Sequence, residues 1–597
     1  MNSQRAIFTL EEMIVTRFTS KKFLSYTLFI VIFVTVLVSV ATAAPNLGGD
    51  YDLFRGSVGT GDVEGDGASF HATTSYDGRY LSFESYAQNW AYDGPANQIN
   101  YADIFVRDTQ TGITSKLTTG LVGGTADDKS FFPSASHDGR YIAYLSYARN
   151  LVPDDSNGDN PWVVDGLDIF LYDQLLGSTN RVSLNHAGEQ ITGNSEGILT
   201  PDGKLIIFAS DGINVLPTAS PAGITHIYVR DWQTGTINRI TNTLDGQDPV
   251  GILHQIAADY DGQFIAYASD VNNLAPNDFN NTQDIFLYNR QTGTTTLITR
   301  TPGGFSANGS SGRPQISHGG EYIVFASSAS NLVSGDTNNF EDIFLYEIAT
   351  GNIRRISLTP NGLEANGDNK EPTICEGGRY IAWTSGANNY TIFDINVYND
   401  VFFYDTVQDE LRLVSVDMNG YSPNGAAHRS WLSPDCRYIF FASESDNMIL
   451  GDNNQERDIF MGRLIWPFDL SPSNQIAPSY AEPGETIVYR VMVRNLGLET
   501  GTASFTTPIP EYTTFVSGSG TNGAVYNSSL NRVEWSGSVM GESEEEVTFS
   551  VLVSPSLTET VFLTLETQLT GDNIGYTLQN VTIVNGYYAF LPAVFRN

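Results

Sequence analysis

Four short loops carry the most regular set of oxygen ligands in this chain. Asp278, Asn280 and Asp284 recur at the same spacing as Asp336/Asn338/Asp342, Asp394/Asn396/Asp400 and Asp452/Asn454/Asp458. Oxygens on alternate residues suit Ca²⁺, which takes about six to eight of them. The competing reading is structural: Asp and Asn cap turns through their own backbone, and the last Asp opens a strand. A second set is basic and titratable. His71, His254 and His428 stand six or seven residues before a recurring turn, and Arg313, Lys370, Glu371 and Arg429 occupy that register in other copies of it. Such groups gathered in one place favour an anionic or hydroxyl-rich ligand, because arginine offers paired hydrogen bonds to a carboxylate. The competing reading is a solvated rim. Cys375 and Cys436 are the only cysteines. Two are too few for a disulfide framework or a cysteine-ligated zinc, which leaves one bridge or two buried thiols.

Motifs of nucleophilic catalysis are absent or misplaced. Gly193-Asn194-Ser195-Glu196-Gly197 fits G-x-S-x-G, but that motif works on a strand-to-helix elbow and here falls between two strands of an all-β chain. Gly518 to Gly523 fits G-x-G-x-x-G with no helix after it, and no H-E-x-x-H occurs. No catalytic residue is therefore assigned, and no cofactor is required; Ca²⁺ is the one candidate ion. The balance of 31 basic against 67 acidic residues gives a net charge of −36. A surface so acidic repels phosphate backbones and anionic lipid, which excludes nucleic acid as a partner.

The elements that position these groups follow from one repeat. A turn, an Arg-Tyr or variant, a short apolar strand and a Ser recur from Asp77, Asp138, Asp202, Asp261, Gly319, Gly377 and Asp435, which lie 61, 64, 59, 58, 58 and 58 residues apart. Each copy continues with an acidic residue and an aromatic strand, as in Asp103-Ile104-Phe105 and Asp458-Ile459-Phe460; His226-Ile227-Tyr228 and Asp400-Val401-Phe402 are variants. Most then reach a glycine turn, such as Thr292-Gly293, before a strand ending in Ser or Thr. Asp-Gly and Thr-Gly supply the positive φ of tight hairpins, so each unit is four antiparallel strands. The second strand is apolar on both faces, as in Tyr322-Ile323-Val324-Phe325, so each sheet lies between two others. Radial packing of seven such sheets is a β-propeller. The seventh copy ends at Arg463 without a fourth strand, and Leu53 to Val58 supplies it from the other end of the chain, closing the ring. The innermost strands then bring the basic and titratable set to one mouth of a central channel.

The Asp-Gly-Arg-Tyr-Ile-Ala-aromatic phrase resembles the repeat of TolB-like propellers over residues 50–465. That family includes protein-docking domains, peptidase gating propellers and a few polysaccharide lyases, so the resemblance implies a fold more than a function. The four Asp/Asn loops resemble calcium loops of other propellers but are shorter, without the usual glycine and third carboxylate. Beyond Asp469 the repeat gives way to period-two segments such as Ile487 to Val493. Residues 469–585 resemble the DUF11-type immunoglobulin-like β-sandwich of bacterial surface proteins, which implies a spacer or adhesive stalk. Residues 586–597 form a short aromatic tail, read as a last strand. At the start, Lys21 and Lys22, an apolar run from Leu24 to Val40 and Ala41-Thr42-Ala43 read as a signal peptide over residues 1–44, with Met13 an alternative start and an uncleaved anchor the competing reading. The expected whole is all-β: a seven-bladed β-propeller closed by an N-terminal strand, then the sandwich. The expected function is an exported, non-enzymatic binding or adhesion scaffold, secreted or at the cell surface, for a protein or glycan. Its mature chain would not insert into a membrane. The alternative is a carbohydrate-active lyase working at the channel mouth.

Overall fold

Asp-Gly turns followed by doubly apolar strands produce four-stranded sheets throughout the repeat region. The computed structural model describes residues 51–90, 101–156, 166–464 and 470–584, apart from 122, 252, 471–472, 479, 496, 498–499, 542 and 572–573. The leader expected over 1–44 and the tail expected over 586–597 lie outside the described residues. No helix among the described residues is long and apolar enough to cross a membrane.

Up to residue 464 the described chain forms seven four-stranded antiparallel sheets, a propeller-like, all-β arrangement. The first is built from Ser69–Thr74, Tyr80–Ser85, Asp103–Asp108 and Ile113–Lys116 in that order. In the seventh, Ala427–Leu432, Tyr438–Ser443 and Asp458–Leu464 are joined by Tyr51–Arg55, which pairs antiparallel from Tyr51↔Leu464 to Arg55↔Phe460. Seven apolar clusters lie between the sheets, one per consecutive pair. The last joins Leu81, Phe83 and Phe105 of the first sheet to Phe440, Ile459 and Met461 of the seventh. Burial of both faces explains the doubly apolar second strand: Ile323, Val324, Phe325 and Ala326 are all fully buried.

The recurring phrases each correspond to one bond. Arg79, Arg140 and Arg379 of the turn grip the aspartate that ends the third strand, at 2.9 Å to Asp108, 2.7 Å to Asp173 and 3.0 Å to Asp405, and lie over the neighbouring tyrosine ring. The Ser or Thr after the fourth strand donates its hydroxyl to the aspartate that opens the third. Thr118 reaches Asp103, Ser183 Asp168, Thr299 Asp284, Ser357 Asp342 and Ser415 Asp400, all at 2.5–2.7 Å. In the seventh sheet this hydroxyl comes from Ser57, 401 residues away, at 2.7 Å from Asp458.

Cys375 and Cys436 are joined in a disulfide between the sixth and seventh sheets. From Leu470 the chain forms two further sheets. One contains Thr486–Asn495 and Ser543–Val553, the other Gly501–Pro508, Arg532–Val539, Val561–Gly571 and Ile574–Val584. They share a core that includes Tyr489, Phe505, Trp535, Phe549 and Leu565, and Thr486–Asn495 alternates exposed and buried along most of its length.

Two measurements test this seam. Replacing both cysteines by alanine frees a loop of 61 residues in the unfolded chain. Chemical denaturation should then show a loss of about 2–4 kcal/mol. Removing the chain up to Thr60 strips Asp458 of both Arg55 and Ser57 and leaves a buried carboxylate uncompensated. Calorimetry should register a loss of at least about 3 kcal/mol, and an unchanged melting temperature contradicts closure by this strand.

Candidate functional site

The first strands of all seven sheets line one cavity of about 610 Å³. In six of them the pairing with the second strand slips at the third residue. At that position His71, Phe132, Gln255, Arg313, Glu371 and Arg429 have φ between 34° and 55°, left-handed values that non-glycine residues rarely adopt. Such a bulge re-aims a side chain, and all six line the cavity. Only the third sheet pairs without a slip, and Gly197 stands there.

This geometry divides the seven residues singled out by register. His71, Arg313, Glu371 and Arg429 are bulge residues and line the cavity; His254 lies one position earlier and lines it too. Lys370 and His428, in the same position as His254, are not among the lining residues. Lys370 pairs outside it with Asp368 at 3.1 Å, and burial lowers the pKa of His428. In these two sheets the bulge residues Glu371 and Arg429 line the cavity in their place, whereas in the fourth sheet both His254 and the bulge residue Gln255 do.

The cavity is not simply cationic. His71 Nδ1 lies 2.7 Å from Glu84, and its ring packs on Phe132 with centroids 4.1 Å apart. Glu371 accepts the Arg429 backbone N–H at 3.0 Å and pairs with its side chain at 3.4 Å. Gln255 accepts the Arg313 N–H at 2.7 Å in the same way. Arg313 itself has no ion-pair partner among the described residues, and His254 Nε2 is buried without a hydrogen-bond partner there.

Further along the cavity lies a second ring that the register argument missed. Tyr76, His137, Pro201, His318 and Pro434 line it, each immediately before its turn; Tyr260 and Glu376 hold the same position in their sheets. Backbone bonds run from sheet to sheet here: Tyr76 N–H to His137, His137 to Pro201, Tyr260 to His318, Glu376 to Pro434 and Asp435 to Tyr76, at 2.6–3.1 Å. His137 Nδ1 and His318 Nε2 are 3.1 Å apart, Tyr76 stacks on His137 at 4.3 Å, and the Tyr76 hydroxyl donates to Glu376. Burial, with a push from His137, holds the His318 imidazole down at about 4; burial and then the charge of Glu376 raise the Tyr76 phenol. The signal for this ring was present in the sequence as the residue preceding each recurring turn, where Tyr76, His137, Tyr260 and His318 stand.

The four Asp/Asn loops lie elsewhere, at the heads of the third strands, and there the expectation of four like sets of metal ligands needs correction. Asn280, Asn338, Asn396 and Asn454 all cap their own turns. Their side-chain oxygens accept the N–H two residues on, from Thr282, Phe340, Tyr398 and Glu456, at 2.8–3.1 Å. Their amide groups donate to the backbone carbonyls of Ala307, Ala365, Pro423 and Gly65 at 2.8–3.2 Å. Asn338 and Asn454 also donate to Asp342 and Asp458 at 3.2 and 3.3 Å. An amide N–H turned toward the carboxylate is a donor, whereas a cation there would need an oxygen. Asn338 and Asn454 are therefore turn caps and not ligands, and the carboxylates beside them are already occupied. In the fifth sheet Arg355 sits among Asp336, Asp342 and Glu364 at 3.0, 3.1 and 3.0 Å. In the seventh, Arg55 sits among Glu64, Asp452 and Asp458 at 2.9, 3.0 and 3.2 Å. Those last three carboxylates lie within 4.8 Å of one another, a metal-like spacing that the guanidinium already fills. Ser195 of the G-x-S-x-G stretch is fully buried and bonded to Ser210, which leaves it no role as a nucleophile.

No family model and no curated protein matches the chain. Among solved structures it is similar to a putative TolB from Agrobacterium tumefaciens (16% identity, 55% of this chain and 88% of that one, TM-score 0.31). It is also similar to a puromycin-hydrolyzing peptidase of Mycobacterium tuberculosis (11% identity, 73% of this chain and 60% of that one, TM-score 0.40). A CARDB domain from Pyrococcus furiosus matches 20% of this chain and 90% of its own at 17% identity, with a TM-score of 0.14. At such scores these likenesses carry no argument about activity.

The buried imidazole gives a pH test. A depressed histidine pKa means that the unfolded chain binds the proton more tightly, so acid disfavours the native state. The advantage of the wild type over His318→Phe in melting temperature should be greatest above about pH 6.5 and shrink as the pH falls towards about 4. A difference constant across that window contradicts a neutral, buried His318.

Proposed function

We propose that this chain is an exported, non-enzymatic binding or adhesion scaffold. In this reading a seven-bladed ring, clipped shut by Tyr51–Arg55, presents a recognition cavity, and an immunoglobulin-like module of DUF11 type serves as spacer. The leader is removed on export, the mature chain is secreted or held at the cell surface without inserting in a membrane, and its partner is a protein or glycan. The observation that supports this is the cavity of about 610 Å³, within the roughly 300–1,000 Å³ of ligand sites. Its lining joins Arg313 and Arg429 to the apolar faces of Phe132 and Trp431. Guanidinium forks with flat apolar faces suit a ligand bearing carboxylates and hydroxyls on a rigid ring, such as an acidic glycan.

One observation favours the alternative, a carbohydrate-active lyase. An unprotonated His318 beside His137, Tyr76 and Tyr260 offers proton acceptors and donors at one place, which general acid–base chemistry needs. A glycan array and an assay for depolymerised, unsaturated products, run on the same mature protein, separate the two. The scaffold reading expects binding without cleavage, whereas cleavage abolished by His318→Phe establishes the lyase. For a bound ligand, Arg313→Ala with Arg429→Ala should weaken affinity by about tenfold or more, as loss of charged hydrogen bonds does. Unchanged affinity in a folded double variant moves the site out of the cavity.

A further inference from the structure

In every sheet one residue of the fourth strand pairs with the third residue of the third strand. It is Lys116, Arg181, Arg239, Leu297, Arg355, Leu413 and Arg55, opposite Phe105, Phe170, Tyr228, Phe286, Phe344, Phe402 and Phe460. Where it is basic it meets carboxylates at the head of that sheet: Lys116 with Asp103 at 2.7 Å, Arg181 with Asp155 at 3.1 Å, Arg239 with Asp248 at 3.2 Å, and the two arginine clusters above. The fourth and sixth sheets keep their carboxylates and lose the cation.

A second position changes with it. Glu364, Glu64 and Gln190 accept the N–H that follows the first Asp of the loop, from Thr337, Asn453 and Ser156. In the fourth and sixth sheets Ser306 and Ser422 accept the same bond, from Phe279 and Ile395 at 3.1 and 2.9 Å. The turn contact survives, while the arginine and the third carboxylate are lost together. What remains is a pair of aspartates of total charge −2 with no fixed cation.

Those aspartates are left with unused oxygens. Asp278 is 2% exposed and Asp284 fully buried, and Asp278 Oδ1 and Asp284 Oδ2 have no hydrogen-bond partner. Thr282 Oγ1 in the same loop has none either. In the sixth sheet Asp394 Oδ1 and the fully buried Asp400 Oδ2 are likewise unpartnered. In the fourth sheet the two carboxyls act on each other, in the sixth Asp394 acts on Asp400, and the side chains of Asn280 and Asn396 bond Asp284 and Asp400; no basic side chain acts on any of the four. Asp278, Asp284 and Asp400 are buried and Asp394 half-buried; buried carboxylates without a counter-charge are costly, and they take up either a proton or a cation.

We propose that the fourth and sixth sheets each bind a divalent cation of the calcium class, between Asp278 and Asp284 and between Asp394 and Asp400, in the place that a basic side chain fills in the other five. Two aspartates neutralise such an ion in full, and hard carboxylate and hydroxyl oxygens suit it. The fifth and seventh sheets, whose loops have the same Asp/Asn spacing, take none because Arg355 and Arg55 already occupy the position.

An ion held only by the native loops stabilises the folded chain by mass action, so the melting temperature should be lower in chelator than in millimolar-range Ca²⁺.

Calorimetric titration of the full mature chain with Ca²⁺ at about pH 8, well above the ordinary carboxyl range of about 4, tests the assignment. The wild type should bind two ions per chain, Asp284→Asn one, and Asp284→Asn with Asp400→Asn none. Leu297→Arg with Ser306→Glu rebuilds in the fourth sheet the arrangement native to the fifth. It should bind one ion and melt in chelator no lower than the wild type, which separates loss of the site from loss of the fold. No binding in the millimolar range, with a melting temperature indifferent to Ca²⁺, overturns the proposal in favour of carboxyl pairs that hold a proton. Undiminished stoichiometry in the double asparagine variant overturns it in favour of binding elsewhere on the acidic surface.

Discussion

A buried aspartate at the head of the third strand is the constraint around which most of these sheets are organised. It lies where the chain enters a strand apolar on both faces, so its carboxylate has little water to turn to. One oxygen is met by the hydroxyl that follows the fourth strand. That bond ties the outer edge of each sheet to its third strand. In the seventh sheet the same requirement is answered by Ser57 and Arg55 from the opposite end of the chain. Joining the ends therefore satisfies a charge as well as a sheet edge, which would otherwise stay open to pairing with other chains.

The third sheet shows that the position matters more than the residue type. His226 replaces the aspartate there, makes the hydroxyl contact with Thr241, and has Asp248 and Arg239 close by. Burial lowers its pKa, followed by the effect of Arg239. A carboxylate with arginine and an imidazole with aspartate are two solutions to one problem of charge at a strand head. The bare aspartate pairs of the fourth and sixth sheets stand out against them.

The cavity obeys a different constraint. First strands that converge on one space have to be narrow, and their bulges are bends that let a side chain project without widening the sheet. Those bulges place His71, Phe132, Gln255, Arg313, Glu371 and Arg429 on a rim, and an acceptor from the preceding sheet fixes several of their N–H groups. The rim is thus a set of side chains held by backbone strain and hydrogen bonds between sheets, the rigid kind of support that a recognition surface needs. The aromatic and imidazole ring beyond it is held by the sheet-to-sheet backbone bonds.

The sequence by itself determined the repeat, the four strands in each copy, their two-sided burial and the missing fourth strand of the last copy. All of these rest on interactions written within about sixty residues: positive φ at Asp-Gly, period-two burial, and one polar contact per phrase. It also placed His71, His254, Arg313, Glu371 and Arg429 near one another, because equivalent positions in equivalent strands must converge. Only the tertiary structure decided that Lys370 and His428 stay out of the cavity. A single bulge residue reverses which face a strand shows, and no alternation in composition marks that reversal. Tertiary structure likewise decided that Arg55 and Arg355 fill two of the four acidic loops, with Asn338 and Asn454 as donors beside them, while Leu297 and Leu413 leave the others bare. The charge that completes a loop arrives from a different strand, so the loop's own residues cannot show whether it is already neutralised.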